Sequence, residues 1–313
     1  MIPSYRFAIV SMKKVISKMA STQLELSGEN IDLVFFVFAA AIFLIELAEL
    51  GFKGKFNRAK VTEMLASAST QIPYLLIESF LMTGLCSLFY VLAYSSIPWM
   101  WDISWITALL AILAADFAYY WEHRIAHRVR LLWTQHAVHH SSQDYNIITA
   151  IRFGPLESVW SLLAHLPMLL IGFPPELIFF GIVVVLAYQT WLHTELVGKL
   201  GPLEWVLNTP SHHRVHHGCD QKYLDKNYAG ILIVWDRMFG SFQAEEETPN
   251  YGLTTNLNSK NPIKVWFFEF PDLWRDLKSS KSIAEVFGYL FKPPGWKAKS
   301  PANLIGGLKC SYL

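Results

Sequence analysis

Nine of the chain's eleven histidines fall in or directly against three short runs, HRIAH at 123–127, HAVHH at 136–140 and HRVHH at 213–217. The runs lie beside or between long apolar segments, and so many imidazoles near apolar sequence point to metal binding. Residues three and four apart on a helix share a face, so His123 and His127 project together. In an H-x-x-H-H pattern the first, fourth and fifth residues span an arc of roughly 100°, which lets three rings converge on one centre. His136, His139 and His140 fit that pattern, as do His213, His216 and His217. His212 stands one turn before His216 and is a further candidate, and His193, at the end of an apolar run in WLHTE, is a tenth. His165 in SLLAHLPMLL stands apart and reads as a packed or locally hydrogen-bonded side chain.

One four-coordinate ion cannot use eight or more imidazoles, so the count implies two ions. Imidazole suits iron, zinc, copper and nickel alike, whereas calcium and magnesium want oxygen ligands. Cys219 follows the third run by two residues and reads as a plain loop cysteine, because the imidazoles already fill the site. Cys86, Cys219 and Cys310 are too few and too scattered for a disulfide framework.

These side chains must be held by an apolar scaffold. The 313 residues are 53% hydrophobic and only 16% charged, far from the roughly 25% charged of a soluble domain, and this composition belongs in a membrane. A net charge of +1 gives no reason to expect a nucleic acid partner. Apolar windows run over 33–50, 73–97, 103–120, 156–172 and 176–192, each near the roughly 20 residues of a membrane-crossing helix. The last two are joined by GFPP at 172–175, a helical hairpin turn that returns the chain to the side it left. The expected fold class is therefore all-α: a transmembrane bundle of four or five spans with a cytosolic helical cap that carries a histidine-rich dimetal site.

The organisation that follows is an N-terminal segment, 1–31; transmembrane helices, 32–122; the first two histidine boxes, 123–155; a transmembrane hairpin, 156–193; a cap with the third box, 194–250; and a tail, 251–313, lying on the membrane surface or packed on the cap. No cleaved signal peptide is read in the first 20 residues. Lys53, Lys55, Arg58 and Lys60 fall on the same side as Arg124, Arg128, Arg130 and Arg152, which makes that side cytoplasmic, in a bacterial inner membrane or endoplasmic reticulum. The basic N-terminus conflicts with this assignment. Glu46, Glu49 and Glu78 lie in or at the ends of apolar windows and read as interfacial.

With only eight residues between His127 and His136, the three boxes resemble the fatty acid hydroxylase and sterol desaturase superfamily of membrane di-iron enzymes. DFAYYWEHRIAH at 116–127, HHSSQDYN at 139–146, HTELVGKLGPLEWVLNTPSHHRVHHG at 193–218 and DKNYAGILIVWDRMFG at 225–240 look like its alkylglycerol monooxygenase branch. The likeness covers roughly 100–245. It implies two iron ions, with zinc as a surrogate, and O2-dependent hydroxylation of a lipid C–H bond, with ether-lipid cleavage as the branch-level expectation. A sterol or fatty-acyl hydroxylase or desaturase uses the same core. A non-catalytic membrane metal-binding protein would instead want its ligands inside the spans. Arg128 stands where that branch often carries an acidic residue, which weakens transfer of the ether lipid and of a pterin cofactor. No flavin or cytochrome segment is evident, so electrons come from an external donor or a pterin. An all-imidazole shell leaves the ions' charge uncompensated, so carboxylates are expected against the ligands. Asp116, seven residues before His123 and eleven before His127, is the first candidate; Asp144 and Glu195 follow, and Asn208 is a candidate to orient the third box or to cap its helix with Thr209.

Overall fold

Short polar residues open the helices that carry the chemistry. In the computed structural model, which describes residues 10, 14–15, 28–54 and 57–298, Asn57 caps α2 (Arg58–Ser96) by accepting the Lys60 amide. Ser104 and Thr107 form a reciprocal capping box at the start of α3 (Trp105–Arg128). Ahead of them runs α1 (Gly28–Phe52). Val129, in extended conformation, breaks the chain between α3 and α4 (Arg130–His140), so α4 leaves in a new direction. A 3₁₀ turn over Ile147–Ile151 precedes α5 (Glu157–Ile171). Gly172, at φ 109°, closes α5 and Pro175 opens α6 (Pro175–Thr190).

The core lies where α3, α5 and α6 meet the C-terminal half of α2. Ala108, Ala111 and Ala115 give α3 a small-residue stripe, and Gly181 of α6 sits so close that a Cβ there would lie 2.7 Å from the Ala111 carbonyl oxygen. Around this seam pack Phe89, Leu177, Ile178, Phe179 and Val185. After α6 the chain forms a 3₁₀ turn at Gly201–Trp205, then α7 (Pro210–His216) and α8 (Val234–Met238). Three further helices complete it: α9 (Pro262–Phe267), α10 (Phe270–Ser279) and α11 (Ile283–Phe291). No strand occurs among the described residues beyond the isolated bridges Leu207–Leu232 and Gly218–Tyr251. The all-helical expectation holds.

The expected spans differ from what the helices offer: among the described residues, no helix is long and apolar enough to cross a membrane. At 15 and 16 residues, α5 and α6 reach about 22–24 Å at 1.5 Å per residue, short of a hydrocarbon core of about 30 Å. In α3 the stretch from residue 116 onward carries Asp116, Glu122 and two histidines. Most of the 1–31 segment, the Glu78 side chain and Cys310 lie outside the described residues. Glu46 is buried and accepts the Ile147 amide at 2.9 Å, which ties α1 to the 3₁₀ turn.

Candidate metal centre

The break at Val129 folds α4 back beside α3, and α7 closes over both. Nine buried histidines thereby gather in two adjoining groups: His123, His127, His136, His140 and His216, and His139, His193, His213 and His217. Within each group the facing ring atoms lie within 4.8 Å of one another. The two groups touch, with the His140 and His217 rings stacked at 4.4 Å.

Spacing alone suggested that each H-x-x-H-H run would serve a single centre; the structure divides each run between two. Advances of three and four residues turn the helix by about 300° and 400°, so the two rings point roughly 100° apart on either side of the first. His136 and His140 therefore face one group while His139 faces the other, and His216 parts from His213 and His217 in the same way.

Hydrogen bonds to the outer nitrogens fix which nitrogen of each ring faces inward. His123 Nδ1 donates to the Tyr228 carbonyl at 2.9 Å, His216 Nδ1 to the Lys226 carbonyl at 2.9 Å, and His136 Nδ1 to the Glu157 carboxylate at 2.6 Å. Carbonyls and carboxylates only accept, so the proton sits on Nδ1 and Nε2 is left with a bare lone pair. In the neutral form that binds metal, His123 Nε2 and His136 Nε2 then face each other at 2.9 Å with no proton between them. His140 Nε2 lies 3.3 Å from His136 Nε2 and 3.1 Å from His216 Nε2. Facing lone pairs at this distance repel unless a cation lies between them, so the donor set fits a transition metal. In the second group His193 Nδ1 donates to the Gln189 carbonyl at 3.1 Å, and its Nε2 faces those of His139 and His213 at 3.2 and 3.0 Å.

The electrostatics agree. Burial, reinforced by neighbouring imidazoles, holds His123, His139, His140, His213, His216 and His217 well below the ordinary histidine range. Burial also pushes His127 and His193 down to about 4, against the opposing pull of Asp225 on His127. All are neutral at pH 7, the form that ligates metal.

Buried polar anchors hold the helices in register. Arg152, 1% exposed, reaches the Val138 carbonyl at 3.1 Å, Ser141 Oγ at 2.9 Å and Glu63 at 2.9 Å, joining the end of α4 to α2. Arg214 makes a two-pronged pair with Glu245, both contacts at 2.7 Å, and so fixes α7. Asp236 accepts the amides of Tyr228 and Ala229 at 2.9 and 2.8 Å, which presents the Tyr228 carbonyl to His123.

The other candidates fall elsewhere. His212 joins neither group; its ring packs edge-on against Phe242 at 5.4 Å, because it precedes His213 on a short helix and faces the other way. Asp116 touches no histidine: its carboxylate accepts the Ile231 amide at 2.6 Å, the Leu232 amide at 3.0 Å and the Trp235 indole at 2.9 Å. Asp144 pairs with Lys60 at 3.0 Å. Glu195 accepts from Tyr251 at 3.3 Å and lines an open cleft with Lys199 and Arg214. Asn208 donates to the Ala229 carbonyl at 2.6 Å instead of orienting a third-box ring. Thr209 occupies the cap position of α7, but its hydroxyl goes to Glu204 at 3.0 Å. Cys219 belongs to neither group, and His165 donates to the Ser161 carbonyl at 2.8 Å.

Sequence reasoning passed over the carboxylates that do meet imidazoles. Glu157 opens α5, where an acid in the first turn reads as ordinary helix-dipole chemistry. Asp225 lies in DKNYAG, with its carboxylate 3.6 Å from His127 Nδ1. Its one sequence signal was that segment's place in the resemblance.

A paired, buried, all-imidazole centre on a helical frame defines the class. Residues 108–241, which contain both histidine groups, match the family described as Fatty acid hydroxylase, the resemblance that the three histidine runs carry. It is 40% identical over 241 residues to the human alkylglycerol monooxygenase, an alignment covering 77% of this chain and 53% of the relative. The Xenopus tropicalis alkylglycerol monooxygenase is 44% identical over 208 residues, 66% of this chain and 46% of the relative. An ornithine lipid hydroxylase of Rhizobium tropici is 33% identical over 147 residues, 45% of this chain and 44% of the relative. The chain spans about half the length of these curated relatives. No solved structure matches it.

Proposed function

We propose that the chain is a membrane-embedded, O2-dependent di-iron oxygenase that hydroxylates a C–H bond of a lipid, with cleavage of an ether lipid as the particular reaction. The observation that carries this reading is the set of imidazoles whose Nδ1 partners leave bare Nε2 lone pairs facing one another. His123, His127, His136, His140 and His216 would hold one ion, and His139, His193, His213 and His217 the other; zinc fits the same donors. When bound, such ions supply redox chemistry that inserts one oxygen atom into the C–H bond and releases the other as water, with two electrons from an external donor.

The protein's own part is positional. Tyr228, Lys226 and Gln189 carbonyls, with Glu157, set ring orientation, and burial of every imidazole keeps bulk water from the centre. Trp133 stands 5.0 Å from the His127 ring and Tyr119 5.3 Å from His123, which supplies aromatic walls against which a lipid chain packs.

Membrane embedding is supported by the perimeter. Leu109, Leu113 and Phe117 of α3, Val91 of α2 and Leu163 and Leu170 of α5 are exposed, an apolar surface suited to acyl chains. The histidines then lie at the cytosolic ends of the embedded helices under a cap over 194–250, the basic residues around them marking the side. The tail helices expose Phe267, Trp274 and Phe287, which suits headgroup contact over 251–298. The sequence likeness to alkylglycerol monooxygenases supports the ether lipid, and that to an ornithine lipid hydroxylase supports a lipid substrate more broadly. A pterin donor rests on the branch alone.

The test is mass spectrometry of lipids from cells expressing the wild type or His136→Ala. We expect hydroxylated or ether-cleaved lipids to depend on the intact chain. Indistinguishable lipid profiles would overturn the enzyme reading.

A further inference from the structure

The two histidine groups are not equivalent. Around the five-histidine group, Glu157 accepts from His136 Nδ1 at 2.6 Å, and Asp225 stands 3.6 Å from His127 Nδ1. Asp225 is steadied by Arg128, whose Nε lies 3.4 Å from its second oxygen, and its backbone adopts a left-handed φ of 59°. The surrounding segment thus holds a non-glycine residue in a costly conformation while presenting its carboxylate to a ring. Around the four-histidine group, among the described residues, no carboxylate pairs with any ring: the histidine ion pairs involve His127, His136 and His165. His193 has only a backbone carbonyl, and His139 Nδ1 and His213 Nδ1 are buried without a hydrogen-bond partner.

A carboxylate on the outer nitrogen makes an imidazole a stronger electron-pair donor and offsets the charge of the ion it binds, whereas a neutral carbonyl chiefly orients the ring. We propose that Glu157 and Asp225 are positioning residues that make the two metal positions unequal, so that the five-histidine position takes its ion first and releases it last. This rests on the two-ion reading above. It assigns a role to the carboxylates of this chain where Arg128 stands in the first box: the negative charge reaches His127 from Asp225, about a hundred residues downstream, instead of from the adjacent position.

The experiment uses the full chain in detergent, loaded with two equivalents of zinc and challenged with excess chelator while released zinc is followed by an indicator dye. The wild type is expected to release one ion at least tenfold more slowly than the other. Glu157→Gln should speed the slow phase by about 10–100-fold and leave the fast phase unchanged. Asp225→Asn should act in the same direction, and Glu157→Asp, which keeps the charge, should recover part of the slow release. To assign the phases, His193→Ala should abolish the fast phase and His127→Ala should weaken the slow one. Release of both ions in one phase, or equal acceleration of both phases by Glu157→Gln in a chain that elutes as the wild type does, would overturn the inference. Binding of fewer than two ions by the folded wild type would overturn the two-ion reading and this inference with it.

Discussion

A single carboxylate shows how much the centre depends on residues that never touch it. Asp116 is 1% exposed and satisfies three donors from the 231–235 segment, the stretch that follows the Tyr228 carbonyl set against His123. Replacing it with asparagine turns one acceptor into a donor aimed at other donors, which leaves a buried N–H unpaired at a cost of about 1–3 kcal/mol. Asp116→Asn should therefore lower the thermal midpoint in detergent while bound metal falls far less than in His136→Ala. Equal metal loss in the two variants would mean that Asp116 acts on the ions more directly than its contacts indicate.

Among the elements, the seam between α3 and α6 governs the site from a distance. A Cβ at Gly181 would lie 2.7 Å from the Ala111 carbonyl oxygen and 2.8 Å from the Ala115 Cβ, so any side chain must push α6 away from α3. The end of α6 leads directly into His193, whose Nδ1 partner, the Gln189 carbonyl, belongs to that helix. Gly181→Val should reduce stability and preferentially lose the ion of the four-histidine group, as read by metal content and melting. Normal metal stoichiometry in that variant would show that the seam and the site are uncoupled. The helices themselves were readable: the GFPP turn and the apolar windows announce themselves locally. What the windows concealed was length, because α5 and α6 are cut short by the turn that makes them neighbours.

At the scale of the whole molecule, the buried neutral imidazoles set the response to acid. His127, His193 and His212 are each pushed down to about 4 by burial from an ordinary value of 6.5, and six others are also held well below it. Between these values the unfolded chain binds protons that the folded chain refuses, so stability rises with pH and is lost as pH falls from about 6.5 towards 4. Each ring contributes a slope of about 1.4 kcal/mol per pH unit across its window. Buried carboxyls that burial raises, such as Asp236 and Glu269, work in the opposite sense, but the rings outnumber them. The metal-stripped chain should thus melt at progressively lower temperature as buffer pH is lowered from 7 to 5. A flat profile would mean that the rings are not buried as a neutral cluster.

The sequence by itself determined the helical class, the ligand chemistry and the pairing of His123 with His127, because these follow from residue type and from a helical period that acts within one turn. It could not determine the sharing of each H-x-x-H-H run between two groups, the exclusion of His212, or the meeting of Glu157 with His136 and Asp225 with His127. Those depend on how α4 turns back at Val129 and how the 225–236 loop is pinned by Asp116 and Asp236. Contacts of that kind join residues far apart in the chain, and only the packing of whole helices decides which carboxylate arrives at which ring.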